Sequence, residues 1–277
     1  MPRHALSAAL LLLATASTPA FAEQCAHSAP RSLDLDLSGV KTVKFEVGAN
    51  RLRLDATPGA DGALAGRACA ASAALLDGLT LTQYRDGDRL VVSLGRDRPL
   101  RISLGSSYSY LDIAGSVPDD VLVQLDVGSG EAYLAGASAA SADVGSGEAG
   151  LRRIRGRATV KVGSGDIDID DAGALKVLSI GSGEVEVRNL RGDAEVGSIG
   201  SGDFKLKRGA GSVSIDSIGS GDAALADVAG SVRVGSIGSG DLDVQGLGGD
   251  LVVDSLGSGD IDHGGVRGAV DVPRKKR

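Results

Sequence analysis

The sequence predicts an all-β fold: a parallel β-solenoid, or right-handed β-helix, with an irregular β-rich N-terminal cap. Three observations lead there. Glycine supplies 42 of 277 residues while aromatics make up 3%, so the core is expected to consist of small branched side chains in thin layers. The string Gly-Ser-Gly followed by Asp or Glu occurs eight times, opening at Gly128, Gly145, Gly163, Gly181, Gly200, Gly219, Gly238 and Gly257. Its spacing settles from 17 to 19 residues. Such a unit is too short for a strand and crossover helix, which need about 30 residues, or for a propeller blade of about 40.

The positions around the string repeat too. Val127, Val144, Val162, Ile180, Ile199, Ile218, Ile237 and Leu256 precede it. The residue after each acid, and the residue two further on, are apolar throughout except at His263 in the last copy. One strand face therefore points inward with period two. A second strand precedes the string in later copies, at 213–215 and 232–234, and Gly192, Gly211, Gly230 and Gly249 mark the turn between the two. A lone unit cannot bury its apolar face, whereas stacked units can. Eight coils about 4.8 Å apart give a rod on the order of 40 Å long, right-handed by the crossover rule. The corner glycines are expected to supply positive φ and close backbone approach.

Residues 1–22 read as a secretory signal. Arg3 precedes an apolar run through Leu10, Leu11, Leu12 and Leu13, and Ala20-Phe21-Ala22 is a small-x-small site that places cleavage between Ala22 and Glu23. Thr15, Ser17, Thr18 and Pro19 interrupt the run before the roughly 20 apolar residues of a membrane span. No other stretch qualifies as a transmembrane segment, and Glu23 and Gln24 argue against a lipid anchor on Cys25. Loss of Arg3 moves the net charge from −7 to −8. A periplasmic or secreted location follows, and there Cys25 and Cys69 are expected to form a disulfide.

Residues 23–118 are expected to be the cap, 119–272 the repeat solenoid and 273–277 a basic tail. Within the cap, residues 79–84 and 90–94 flank a turn at 85–89 as a hairpin. Residues 47–54 look like a worn copy of 127–134, which starts the solenoid early in degenerate form. Asn50 takes the place of a glycine there and is expected in the left-handed region.

The acids closing the strings form a ladder: Glu131, Glu148, Asp166, Glu184, Asp203, Asp222, Asp241 and Asp260. Neighbours one coil apart repel by about 1 to 3.5 kcal/mol, so something relieves them. Hydrogen bonds from turn amides are the favoured relief, and a divalent cation on Asp203, Asp222, Asp241 and Asp260 is the alternative metal reading. The calcium-binding β-roll repeat places its acid differently and has half this period. The string serines and a second column, Ser179, Ser198, Ser217, Ser236 and Ser255, lack a recurring base, since His27 and His263 stand outside both columns. No catalytic residue and no cofactor site is predicted. Residues 197–202 run in the wrong order for a dinucleotide loop, and the negative charge disfavours nucleic acid.

The signal segment, the short β-rich lead and the stacked Val/Ile-Gly-Ser-Gly-Asp/Glu units resemble the adhesin-like families of domains of unknown function, of the DUF4097 and DUF2807 type. The resemblance covers 120–272 well and 31–118 loosely. It implies a β-helical fold and an envelope or extracellular setting, and it carries no catalytic residues. The expected function is a non-enzymatic structural or adhesin-like surface module whose partner is an envelope polymer, a glycan or another protein. The rival is a carbohydrate-active β-helix enzyme, a polysaccharide lyase or hydrolase, drawing on Asp166, Asp168, Glu184, Glu186, Asp203 and Lys205. Self-assembly of the solenoid is a third reading.

Overall fold

The computed structural model describes residues 25–96 and 108–273. The predicted signal segment with its cleavage site after Ala22 and the basic residues 274–277 lie outside the described residues. The described chain is a parallel β-solenoid of about eight turns.

The N-terminal strands are β1 (His27–Asp34), β2 (Thr42–Gly48), β3 (Arg51–Thr57), β4 (Ala63–Ala70), β5 (Leu79–Asp86), β6 (Arg89–Arg96) and β7 (Ser109–Pro118). A four-residue helix, α1 (Ala73–Leu76), interrupts them where no helical period is visible. The repeat then runs through β8 (Leu122–Val127), β9 (Glu131–Ala135), β10 (Ala139–Val144), β11 (Glu148–Val162) and β12 (Asp166–Ile180). It continues in β13 (Glu184–Leu190), β14 (Ala194–Ile199), β15 (Asp203–Gly209), β16 (Val213–Ile218) and β17 (Asp222–Val228). The last strands are β18 (Val232–Ile237), β19 (Leu242–Leu247), β20 (Leu251–Leu256), β21 (Ile261–Gly264) and β22 (Val270–Asp271).

Each coil contributes one strand to each of two parallel stacks. Ile199, Ile218 and Ile237 lie in register one above another, as the repeat predicts. Between the stacks sits a continuous core of Val, Leu, Ile and Ala, with Phe45 and Phe204 its largest fully buried side chains.

At the turns, the amides of the Gly-Ser-Gly-acid string donate to the coil before. Gly200, Ser201, Gly202 and Asp203 reach the carbonyls of Ile180, Gly181, Gly181 and Gly183 at 2.7, 2.8, 3.0 and 3.0 Å. Backbones this close leave no room at the second glycine: a Cβ on Gly202 falls 2.0 Å from the Gly183 oxygen, and one on Gly221 falls 1.9 Å from that of Gly202. These glycines serve close approach, not positive φ, which corrects half of the expectation.

The left-handed residues stand elsewhere. Gly136, Arg153, Asp171, Asn189, Arg208, Asp227, Gly246 and Gly265 all have φ between 51° and 86°. They share one register in the eight copies, near the end of the strand that follows the string. There the backbone turns a corner, so that Ala137, Ile154, Ala172, Leu190 and Val228 point into the core one residue later. Asparagine and aspartate enter this region at low cost, but for arginine it costs about 1 to 2 kcal/mol.

Asn50 is a second correction, because it is absent from the positive-φ residues and Gly48 takes φ 59° instead. Its side chain is buried and bonds in three directions. Nδ2 donates to the Val47 and Leu94 carbonyls at 2.8 and 2.7 Å, and Oδ1 accepts from Leu111 N at 2.7 Å. It thus joins the turn of the β2–β3 coil to β6 and β7.

The stacking order departs from chain order at this end. The β2–β3 coil lies between β6–β7 on one side and β8–β9 on the other. The pairing of Arg51 with Glu131 and Leu54 with Leu134 matches the degenerate copy read from the sequence. Beyond β6 lies β5, antiparallel to it as the predicted hairpin, and beyond β7 lie β4 and β1, also antiparallel. Cys25 and Cys69 are joined, with Cα atoms 5.5 Å apart, fixing the start of the described chain to β4.

Three outcomes follow. Gly202→Ala should cost about 3 kcal/mol or more by forcing coils apart. Arg153→Gly should instead raise stability by about 0.5 to 1 kcal/mol through relief of the left-handed corner. Thermal or urea melting of the two variants reads both signs, and the reverse order would contradict the assignment of roles. Thiol labelling of native protein should find neither Cys25 nor Cys69 free; opening their 44-residue separation should cost about 4 kcal/mol in the loop-entropy account.

Candidate binding site

The residues that an enzyme reading draws on do come together. Parallel register sets Asp166, Glu184 and Asp203 in one row on the outer face and Asp168, Glu186 and Lys205 in the next. The cations there are already engaged. Arg188 bonds Glu186 through Nη1 and Asp168 through Nη2, the latter at 3.2 Å. Lys205 Nζ lies 2.7 Å from Glu184 Oε2. Both cations hold their protons more tightly than usual, Arg188 first through its bond to Glu186 and Lys205 first through its bond to Glu184. The result is a half-exposed patch of ion pairs along a sheet. Among the described residues no group of three or more His, Cys, Asp or Glu side chains is placed to hold a metal ion.

Five acids of the ladder are relieved in two ways that depend on side-chain length. Asp222 Oδ1 accepts the backbone N–H of Asp241 at 3.0 Å, and Asp241 Oδ1 accepts that of Asp260 at 2.9 Å. A glutamate is one methylene longer and turns to other side chains: Glu131 to Arg51, Glu148 to Tyr133 and Glu184 to Lys205. The opposite turn uses the short-chain device again. Asp193, Ser212, Ser231 and Asp250 each accept the N–H of the residue one coil on, at 2.7 to 3.2 Å. The serine columns stack in register, and Ser239 and Ser258 share a hydroxyl contact of 3.2 Å. His27 lies at the start of β1 and His263 is exposed in β21, so no imidazole recurs along either column.

Tyr133 occupies a singular place. Its ring fills the space above Gly150, where a Cβ would stand 2.5 Å from the ring, and its hydroxyl donates to Glu148 Oε1 at 2.6 Å. Burial first, and then that bond to a carboxylate, push its pKa up to about 12. A phenol held neutral in this way is a poor base.

A cleft opens at the N-terminal end, where the repeat is broken. It encloses about 800 Å³ and is lined by Arg51, Leu79, Arg96, Tyr108, Tyr110 and Glu131 together with turn backbone. The two rings lie 6.5 Å apart, tilted by 40°. The Arg51 guanidinium sits 5.0 Å from the centre of the Tyr110 ring, and its Nε is 3.5 Å from Glu131 Oε1. Arg96 donates to the Ser109 hydroxyl. The disulfide-tied cap holds this wall in place. Cys69 pairs with Tyr110 across β4 and β7, the Ala71 amide donates to the Tyr108 carbonyl at 2.9 Å, and the Ala26 amide donates to the Tyr108 hydroxyl at 2.9 Å. Sequence reading missed this cleft, because Arg51, Leu79, Arg96, Tyr110 and Glu131 come from five different strands and only Glu131 among them belongs to the Gly-Ser-Gly-acid repeat. The nearest signal was the paired tyrosines at 108 and 110 in a chain with only four.

These features define a parallel β-solenoid whose N-terminal strands depart from the repeat. No family model and no curated protein matches the chain. Among solved structures it is similar to a candidate adhesin from Bacteroides fragilis, with 12% identity, a TM-score of 0.44, and 88% of this chain and 96% of that one covered. It is also similar to a candidate cell adhesion protein from Clostridium sporogenes, with 12% identity, a TM-score of 0.32 and coverage of 88% and 98%. A candidate lipid-binding protein from Parabacteroides distasonis shares 18% identity at a TM-score of 0.36, with coverage of 87% and 96%. Overlaps this loose carry no role from those proteins to this one.

The Tyr133 environment yields a pH expectation. Its folded pKa lies above the usual value near 10, so stability tied to its proton is complete below about pH 10 and is lost as pH rises toward 12. Phenolate absorbance, taken as the difference from Tyr133→Phe, should show a midpoint near 12. Glu148→Gln should lower that midpoint without returning it to about 10, because burial remains.

Proposed function

We propose that the chain is an exported, non-enzymatic module of the cell envelope or its exterior, a structural and adhesin-like binding protein. In this reading residues 1–22 are the signal removed after Ala22, 23–118 form the cap with its degenerate coils, 119–272 the rod, and 273–277 a basic end. The observation that carries it is the division of labour among polar side chains. Along the rod a number of acidic and basic side chains are bonded to a neighbouring coil, while two tyrosines and two arginines gather in a cleft at the N-terminal end. The disulfide suits an oxidising compartment. Among the described residues no helix is long and apolar enough to cross a membrane.

The lyase or hydrolase reading has its acids and cations on one face, yet it lacks a carboxylate set apart from its neighbours, which catalysis requires. A binding screen over glycans, envelope polymers and envelope proteins, with and without Ca²⁺, tests the proposal. Retention of at least one such partner is expected, and retention of none would end it. Replacing Asp203 and Asp222 together with Asn should change stability while neither protein cleaves acidic polysaccharide. Cleavage by the wild type that disappears in a normally folded double variant would establish the enzyme instead.

A further inference from the structure

We propose that the N-terminal cleft binds an acidic carbohydrate, a short run of pyranose units bearing a carboxylate; this deepens the envelope-binding reading and rests on it. The volume of about 800 Å³ falls within the ordinary range for small-ligand sites, and two tyrosine rings stand together in one wall. Aromatic rings offer the apolar C–H faces of sugars a surface. The charge count then selects the sugar. Arg51 is matched by Glu131, whereas Arg96 contacts the neutral Ser109 hydroxyl. Among the described residues the lining thus holds one positive charge in surplus, on a chain whose net charge is −7. An anionic group is what such a local surplus recognises.

The turn backbone decides which anion. Phosphate sites commonly use free amides at a glycine turn. Here the amides of Gly128, Ser129 and Gly130 all donate to the Gly48 carbonyl, at 3.0, 3.0 and 2.9 Å. With those amides spent, the anion is met by a guanidinium fork, whose planar geometry matches a carboxylate. Arg96 therefore takes the sugar carboxylate, the exposed Tyr108 holds the ring face, and Arg51 remains with Glu131 over the Tyr110 ring.

The test is calorimetric titration of the native, disulfide-bonded protein with a trigalacturonate, with cellotriose as its neutral counterpart. Binding of the trigalacturonate alone is expected. Arg96→Ala should weaken it about tenfold or more, and Arg96→Lys, which keeps the charge but not the fork, should recover only part of the loss. Tyr108→Ala should weaken it as well, and Arg188→Ala, on the remote ion-pair patch, should leave it unchanged. Melting curves screen each variant for folding, and Arg96→Lys serves if Arg96→Ala fails to fold. Equal affinity for the two trisaccharides, or unchanged affinity in Arg96→Ala or in Arg96→Lys, would overturn the proposal. If the screen above retains an envelope polymer while trigalacturonate does not bind, this inference falls and the envelope reading stands. If the screen retains nothing, both fall.

Discussion

The axial contact at each Gly-Ser-Gly turn is the constraint on which the rest of the molecule depends. Four successive amides donate to the carbonyls of the coil before, and the second glycine lies so close to its neighbour that a single Cβ would fall about 2 Å from a carbonyl oxygen. The turn is therefore a ladder between coils more than a bend within one. Because it fixes the axial spacing at one edge, the strands downstream of it fall into parallel register, shifted locally only between β11 and β12 among the later coils, and the apolar positions of the copies meet in one core.

Much of this was legible in the sequence, since a constraint of backbone geometry prints itself as an invariant residue type. Glycine at the crowded position, an aliphatic before it and alternating aliphatics after it gave the coils, the register and even the degenerate first copy at residues 47–54. The left-handed corner was not legible, for a physical reason. Its conformation excludes no residue outright, so it appears as Gly136, Arg153, Asp171, Asn189, Arg208, Asp227, Gly246 and Gly265. The preponderance of Gly, Asn and Asp at one register was the available signal, and the two arginines obscured it. Asn50 misled for the converse reason. An asparagine at a glycine position suggests a left-handed backbone, but this one is kept for its carboxamide, which bonds three separate strands.

The candidate site was hidden more deeply. Chain order and stacking order disagree at the N-terminus, where β2–β3 is sandwiched between segments that follow it in sequence. Arg51, Arg96, Tyr110 and Glu131 are far apart along the chain and become neighbours only through that insertion. A regular coil would have closed the space with another stacked turn. Here the repeat breaks, Asn50 replaces the missing turn bonds, and the disulfide with β1 and β4 holds the wall that carries the tyrosines. Individuality of side chains begins where the repeat stops.

That contrast also explains why an acid repeated eight times need not be chemical. A carboxylate in a stack meets copies of itself, so its environment is an average and its charge must be absorbed locally. Aspartate absorbs it by replacing a backbone bond to the next coil, as at Asp222 and Asp241, while glutamate extends past the turn to a cation or phenol, as at Glu184 and Glu148. The alternation between the two acids, which would be intolerable in a catalytic geometry, is harmless where each side-chain length has its own form of relief. Periodicity builds a rod in which many polar groups answer one another, whereas Arg96, bonded to the neutral Ser109 hydroxyl, stands beside its tyrosines at the end where periodicity fails. Such a solenoid distributes its stability through the coils and leaves its one non-periodic cleft among the described residues at the N-terminal end.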